Sequence, residues 1–194
     1  MTTLETNPTM EDASRAMGAD ATYLGGGTVV MRAVNEGVAT PRLIRVTDPG
    51  LTQISTVGET FRLGASVTMA DVLAHRDLAF LHPVARQIGG PQVRNMATVA
   101  GNLFAEHPYG DFATALLALG AQVTMTGQGG ALPIDDVLRD RDRAGLVSAV
   151  DIPRPRDVRA FGFRKVSRVR HNGVTDQCIS AYLPRERGRI RGAR

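Results

Sequence analysis

The chain has 194 residues, 43% of them apolar and 22% charged, a balance that is typical of a globular protein. No apolar run is long enough to span a bilayer, and the single Cys178 excludes an intrachain disulfide framework, so we expect a cytoplasmic protein without membrane contact. Residues 154–194 carry 12 basic and 3 acidic side chains, but they hold few aromatic residues and no known nucleic-acid motif, so we expect no nucleic-acid partner.

The first predicted elements form a parallel βαβ unit. Residues 21–24 are a short β-prone run that leads directly into Gly25, Gly26 and Gly27. Thr28 is placed to cap a helix that ends at Gly37, and a second strand follows at residues 42–46. We therefore predict an N-terminal βαβ subdomain within residues 1–50.

The following residues predict helices and mostly antiparallel strands. A hairpin is expected around Gly58-Glu59, and Thr68 with Asp71 resembles a capping box that opens a helix to about residue 75. Pro83 is typical of a first helical turn, and Asp111 is placed to cap an apolar helix that Gly120 ends. Further strands are predicted at 121–126, 145–152 and 159–167. This pattern predicts a second, α+β subdomain over residues 51–175, followed by a basic tail at 176–194.

The first glycine-rich segment, LGGGT at residues 24–28, has the composition of a phosphate-binding turn. Glycines let the backbone come close to an anion and point N–H groups at it, and Thr28 offers a hydroxyl in addition. The segment does not fit the G-x-G-x-x-G pattern of dinucleotide-binding folds. A plain strand-to-helix turn explains three glycines equally well.

The second segment, GGPQVRNMATVAGNL at residues 89–103, matches neither a helix nor a strand period and is predicted to be a long irregular loop. Such loops inside compact domains are often functional. Thr98, the backbone of Gly101 and Asn102 are potential hydrogen-bond donors to phosphate or ribose oxygens. An irregular crossover between two helices is an equally good interpretation of this segment alone.

The two segments together resemble the FAD-binding domain of molybdenum hydroxylases, the family of xanthine dehydrogenase and carbon monoxide dehydrogenase flavoproteins. Three more stretches match it in the same order: DFATALLALGA at 111–121, VDIPRP at 150–155 and FRKVSR at 163–168. The matching stretches run from about residue 20 to residue 168 and stop before the basic tail. The chain therefore resembles a medium subunit that lacks most of the family's C-terminal subdomain.

The resemblance implies an α+β, two-subdomain FAD-binding fold and an electron-transferring oxidoreductase subunit. Its FAD is expected to receive electrons from a [2Fe–2S] partner chain and to pass them to an external acceptor. Substrate hydroxylation is expected in a separate molybdopterin-containing large subunit, so no catalytic residue is expected in this chain. Without the C-terminal subdomain, apolar surface around Cys178-Ile179 and Tyr182-Leu183 is expected to lack its cover.

The resemblance also implies which residues would hold FAD. Asp111 would accept a hydrogen bond from a cofactor hydroxyl, although a helix N-cap explains it almost as well. Lys165 would stabilise the reduced flavin, with Arg164 as the competitor if the register shifts and a surface charge as the plain alternative for either. Core packing equally explains Ile88 and Val147, the expected apolar contacts. The remaining expected contacts are the pyrophosphate segment Tyr23, Leu24, Gly25, Gly26, Gly27, Thr28, Val29 and Val30, and the phosphate and ribityl segment Thr98, Val99, Ala100, Gly101 and Asn102.

Two other functions remain open at this stage. A stand-alone flavin oxidase would need a substrate domain, for which the chain has no room. A cofactor-free interaction or assembly protein could retain the fold without FAD. The four histidines are scattered without the spacing of metal ligands, so no metal site is expected.

Overall fold

The computed structural model describes residues 2–106, 109–141, 145–167, 175–186 and 189–190, and all structural statements below refer to these. Its first unit is a three-stranded sheet in the order β1-β3-β2, in which β3 pairs in parallel with both neighbours. The predicted parallel βαβ unit is confirmed. The elements of this unit are β1 (Thr3–Asn7), α1 (Met10–Ala16), β2 (Ala21–Tyr23), α2 (Val30–Asn35) and β3 (Arg42–Val46).

The sequence analysis did not predict β1 and α1. The strand shows no apolar alternation, and only its last residue, Asn7, is buried. It is ordered by parallel pairing with β3, from Thr3 opposite Arg42 onward, and that pairing is invisible in a local pattern. The helix had a readable signal, because the Thr9 side chain caps it by accepting a hydrogen bond from the Asp12 amide.

A five-stranded antiparallel sheet forms the second unit, in the order β4-β5-β8-β6-β7. The predicted hairpin is confirmed, with Gly58 at a φ of 57° in its turn. Together with the parallel sheet, this antiparallel sheet confirms the α+β class, whereas the residue boundaries of the subdomains remain predictions. The strands are β4 (Ile54–Val57), β5 (Thr60–Gly64), β6 (Gln122–Met125), β7 (Ala131–Pro133) and β8 (Val147–Pro153).

The antiparallel sheet packs against helices through one continuous apolar core. Phe61 and Leu63 from β5 and Val150 from β8 meet Phe112 and Leu116 in this core. The helices are α3 (Met69–Ala74), α4 (His82–Ala85), α5 (Pro91–Arg94), α6 (Val99–Phe104), α7 (Asp111–Leu119) and α8 (Ile134–Arg139), with single 3-10 turns at Pro49–Thr52, Arg76–Leu81 and Val158–Ala160. The predicted capping box is present, since Thr68 and Asp71 exchange side-chain and backbone hydrogen bonds at the start of α3.

Two sequence-based expectations about these helices were wrong. The segment 89–103 is not an irregular loop, because it contains α5 and α6, each too short to show a helical period. Asp111 is not an N-cap: Gly110 holds that position in a left-handed conformation, with φ 87° and ψ 24°, and Asp111 is the first helical residue. The Asp111 carboxylate therefore does not cap its own helix and is available for contacts with other elements.

A separate two-stranded antiparallel sheet, β9 (Phe161–Ser167) and β10 (Thr175–Tyr182), lies beside α7. As expected, Ile179 and Leu183 are exposed, whereas Cys178 and Tyr182 are half-buried against the core. Two short paired strands follow, β11 (Arg185–Glu186) and β12 (Arg189–Ile190). In the described part of the chain, none of the helices has the length and apolarity needed to cross a bilayer.

Candidate functional site

A cleft of about 850 Å³ lies between the two units. The turn between β2 and α2 forms one wall, and α6, the start of α7 and the start of β8 contribute to the other. All of the residues that the resemblance singled out line this cleft, except Leu24 and Val99. The Leu24 amide donates to the Ile44 carbonyl, at 2.7 Å, and Val99 is fully buried. The volume falls in the range usual for ligand sites, and we take this cleft as the candidate site.

The glycine turn offers free hydrogen-bond donors to the cleft. Within the described residues, the amides of Gly25, Gly26, Gly27 and Thr28 donate to no protein group. Gly27 has a φ of 70°, in the left-handed region that glycine adopts without strain. A run of unpartnered N–H groups beside a cavity suits an anionic ligand such as a diphosphate.

The two glycine-rich segments touch each other. A Cβ atom placed on Gly26 would lie 1.7 Å from the Met96 carbonyl oxygen, and one on Gly25 would lie 3.2 Å from Thr98 Oγ1. Glycine at position 26 is therefore a requirement of the close backbone approach. Gly26 and Gly101 line one shared cleft, which is the geometric condition for both segments to contact the same ligand.

The amides at the start of α6, in contrast, are already occupied. Val99 donates to Val67 O at 2.8 Å, and Ala100 donates to Ala65 O at 3.2 Å. Gly101 donates to Thr98 Oγ1 at 3.0 Å, and the Asn102 amide donates to Thr98 O at 3.1 Å. The expectation that the Gly101 amide contacts a ligand stays a prediction, and it now competes with this internal bond.

Two side-chain groups of the second segment remain available. Thr98 Oγ1 uses a lone pair to accept from Gly101, so its hydroxyl hydrogen is still able to donate. The Asn102 side-chain nitrogen donates to Thr98 O at 3.1 Å, which leaves its Oδ1 as an acceptor. Both residues are buried and line the cleft, so these two groups are what α6 can present to a ligand.

A buried ion pair closes the cleft near the start of α7. Lys165 Nζ lies 2.6 Å from Asp111 Oδ2, and the two side chains are only 5% and 6% exposed. Lys165 also donates to the Gln87 carbonyl at 3.0 Å, and Thr175 donates to Asp111 Oδ1 at 2.8 Å. These extra hydrogen bonds are what make the burial of both charges tolerable.

This geometry decides between the two cations of the late strand. Lys165 points into the cleft, whereas Arg164 is exposed and donates to the Phe163 carbonyl. Lys165 is therefore not a surface charge, whereas its role toward a flavin stays a prediction. Because Asp111 already holds Lys165, the two groups line the cleft as one neutral, hydrogen-bonded unit.

The apolar part of the cleft serves the core as well. Val147 is buried and Ile88 is half-buried, and both pack against the main core while lining the cleft. Core packing of both residues is confirmed, and their contact with a cofactor stays a prediction. Tyr23 donates its hydroxyl to Met10 Sδ at 3.6 Å, and burial raises the pKa of Tyr23, so this hydroxyl stays protonated at neutral pH.

Three polar residues of the cleft were missed from the sequence. Arg32 on α2 donates through Nη1 to the Tyr109 hydroxyl at 2.5 Å, and through Nε to Glu36 Oε1 at 2.8 Å. This bond links the two walls across 77 residues of sequence, which no local pattern reveals. The third is Arg141, which follows α8 and lines both this cleft and an adjoining cavity of about 640 Å³.

No group of three or more histidine, cysteine, aspartate or glutamate side chains among the described residues is arranged to hold a metal ion. His82 has its Nε2 within 3.2 Å of the Val72 and His75 carbonyls, a structural arrangement. The other two histidines, His107 and His171, lie outside the described residues.

Comparisons with known proteins identify the family of this chain. Residues 5–155 match the family described as the FAD binding domain in molybdopterin dehydrogenase, so the chain belongs to that family. The resemblance inferred from the sequence is confirmed, and FAD is the cofactor of this family.

Characterised relatives include the carbon monoxide dehydrogenase medium chain of Afipia carboxidovorans, 29% identical over 167 residues that cover 78% of this chain and 57% of the relative. The nicotine 6-hydroxylase medium subunit of Paenarthrobacter nicotinovorans is 28% identical over 65% of this chain and 47% of the relative. The chain therefore spans about half the length of these relatives.

Solved structures show the same fold. Carbon monoxide dehydrogenase from Hydrogenophaga pseudoflava superposes with a TM-score of 0.88 at 20% identity, over all of this chain and 72% of that one. Quinoline 2-oxidoreductase from Pseudomonas putida 86 superposes with a TM-score of 0.81, also at 20% identity and over 72% of that chain.

Proposed function

We propose that this member of the FAD-binding family holds FAD in the cleft and works as the flavoprotein component of a molybdenum hydroxylase complex. The observation that carries the proposal is the row of unpartnered amides at Gly25–Thr28, held against the second segment by the Gly26–Met96 contact. A diphosphate provides the anionic acceptors that these donors lack. The residues present thus fit the group.

In the proposed complex, bound FAD supplies the redox chemistry, receiving electrons from a [2Fe–2S] partner chain and passing them to an external acceptor. The protein residues bind and orient. The turn at Gly25–Thr28 would hold the pyrophosphate, and Thr98 and Asn102 would bond the phosphates and the ribityl side through a hydroxyl and an amide oxygen. Asp111 would accept from a cofactor hydroxyl while it keeps the Lys165 ammonium in place. Ile88 and Val147 would supply apolar contact.

The proposed partners are a [2Fe–2S] subunit and a molybdopterin-containing large subunit. Support comes from the relatives, which are named as a medium chain, a medium subunit and a subunit of a dehydrogenase complex. The described residues contain no metal cluster and a single free thiol, Cys178, so an iron–sulfur centre would belong to another chain. A cytoplasmic location is part of the same proposal.

A titration tests the cofactor assignment directly. The purified chain is expected to be yellow, or to become so with FAD, at one FAD per chain after removal of free cofactor. FMN and riboflavin serve as controls that lack the diphosphate. A colourless chain that ignores added FAD would reject the proposal and favour the cofactor-free interaction protein.

A second experiment tests the electron-transfer role. Under anaerobic conditions, a reduced [2Fe–2S] protein of the same complex is mixed with the FAD-loaded chain, and the flavin absorbance is followed. We expect the flavin absorbance to be lost in a single kinetic phase and to return when an acceptor is added. Bleaching by an organic substrate without any partner would instead indicate a stand-alone oxidase.

A further inference from the structure

Arg141 is a cation of the cleft that has no partner among the described residues. Its Nε is buried and makes no hydrogen bond to a described residue, and its guanidinium forms no ion pair with any acidic side chain in that part of the chain. Buried polar atoms are hydrogen-bonded in the great majority of proteins, so an exception calls for a physical reason. A group that binds here and supplies the missing acceptor is such a reason.

The surrounding charges are already matched. Of the charged side chains that line the cleft, Lys165 is neutralised by Asp111 and Arg32 pairs with Glu36. Arg141 alone among them carries a charge that no described residue offsets. The protein wall therefore presents one net uncompensated positive charge where an anionic ligand would lie.

Arg141 lies in the chain between α8 and β8. One residue, Asp140, separates it from the end of α8, and β8 begins shortly after it at Val147, which also lines the cleft. The adjoining cavity contains Arg141 together with Tyr109 and Asp111, which line the cleft too. Arg141 thus lines the cleft next to the start of α7, on the wall opposite the glycine turn.

We propose that Arg141 binds a phosphate of the dinucleotide from the wall opposite the Gly25–Thr28 amides, so that the diphosphate is held from two sides. The inference rests on the proposed function, since it requires FAD in the cleft. Arginine suits this task, because its planar guanidinium donates two parallel hydrogen bonds to a phosphate and stays charged at any physiological pH. Binding a phosphate would not require Arg141 to break a hydrogen bond to any described residue.

The test compares the FAD affinity of the parent chain with that of Arg141→Gln. Loss of a charge-assisted hydrogen bond is expected to weaken FAD binding roughly 10- to 100-fold. ADP, a ligand with the diphosphate and no flavin, should be weakened by a similar factor, whereas riboflavin, without phosphate, should bind both proteins equally. Arg141→Lys, which keeps the charge but not the fork, is expected to recover part of the affinity.

Arg139→Gln is the matched control. Arg139 ends α8 two residues earlier, its side chain is 71% exposed, and it pairs with Asp135 and Asp136. This variant is expected to bind FAD like the parent. Thermal unfolding without FAD provides the second readout: Arg141→Gln should be at least as stable as the parent, since it loses no hydrogen bond of the free protein.

Three outcomes overturn the inference. Unchanged FAD and ADP affinity in Arg141→Gln would remove the phosphate contact, and equal weakening of riboflavin would move the contact to the flavin. A marked loss of stability in the FAD-free variant would make Arg141 a structural residue. If the parent itself fails to bind FAD, the proposed function falls first, and that result is visible before any variant is made.

Discussion

The two walls of the cleft differ in how complete they are. The α6–α7 wall is finished by the protein: the amides at the start of α6 all have partners, and Phe112 and Leu116 on α7 are fully buried. On the glycine-turn wall, α2 has no buried residue, and four successive amides of the turn lack partners among the residues that the structure describes. The α6–α7 wall is thus complete without a ligand. The amides of the glycine turn would find their hydrogen-bond partners in a bound ligand.

The largest effect on stability is expected from a substitution in the α6–α7 wall. Replacing Asp111 by alanine leaves the buried Lys165 ammonium without its counter-charge and removes the acceptor of Thr175. We expect a loss of about 3–5 kcal/mol in the free energy of unfolding, as is usual when one partner of a buried ion pair is removed. Chemical denaturation measures this value.

Asp136→Ala is the control for that variant, because Asp136 forms an exposed pair with Arg139 and should contribute less than about 1 kcal/mol. A similarly small effect for Asp111→Ala would contradict the picture of a wall held by a buried pair.

The next largest effect is a difference in hydrogen exchange between the two walls, which needs no mutation. In the free protein, hydrogen exchange at the Gly25–Thr28 amides should be close to the unprotected rate, whereas the Val99–Asn102 amides should already exchange slowly. FAD at about 100 times its Kd stabilises the bound state by about 2.7 kcal/mol, so the turn amides should slow by about 100-fold. Equal protection of both segments before FAD is added would contradict the difference between the two walls.

A smaller effect is expected where the walls touch. In Gly26→Ala, the new methyl group would meet the Met96 carbonyl, which belongs to the backbone and must shift. We expect a loss of about 1–3 kcal/mol in stability, as for other overpacked sites, with weaker retention of FAD. Gly129→Ala is the control, because a Cβ there has no neighbour within 4 Å. Identical melting temperatures and flavin content for the two variants would refute the contact.

The smallest effect concerns the cap of α6. Thr98→Val removes the oxygen that accepts the Gly101 amide, so we expect a loss of about 1 kcal/mol in stability. Thr98→Ser keeps that oxygen and should stay near the parent value. Measured together with FAD affinity, the pair shows whether the hydroxyl serves the helix alone, in which case only stability changes.

The sequence predicted the elements that have strong local signals. The capping box at Thr68 and Asp71, the hairpin at Gly58 and the glycine turn are each encoded within a few neighbouring residues. Such features depend on backbone chemistry that a short stretch of sequence specifies by itself. Lys165 lines the cleft, but the flavin contact that the resemblance implied for it stays a prediction.

What the sequence did not predict depends on distant partners. β1 is held by β3, nearly 40 residues away, and the Arg32–Tyr109 bond spans 77 residues. The role of Asp111 changed because Gly110 took the cap, which freed the carboxylate for Lys165. Arg141 became a candidate only once its lack of a partner was visible in three dimensions.

Cys178 gives the protein an internal reporter. Its thiol lies on β10 within 3.3 Å of Thr114 Oγ1 on α7, and burial raises its pKa. Alkylating reagents attack the thiolate, so at neutral pH their reaction with the closed molecule should be slow. Cys178 is the single cysteine in the sequence, so its alkylation can be followed by intact mass without any engineered label. The alkylation rate then reports how often β10 separates from α7.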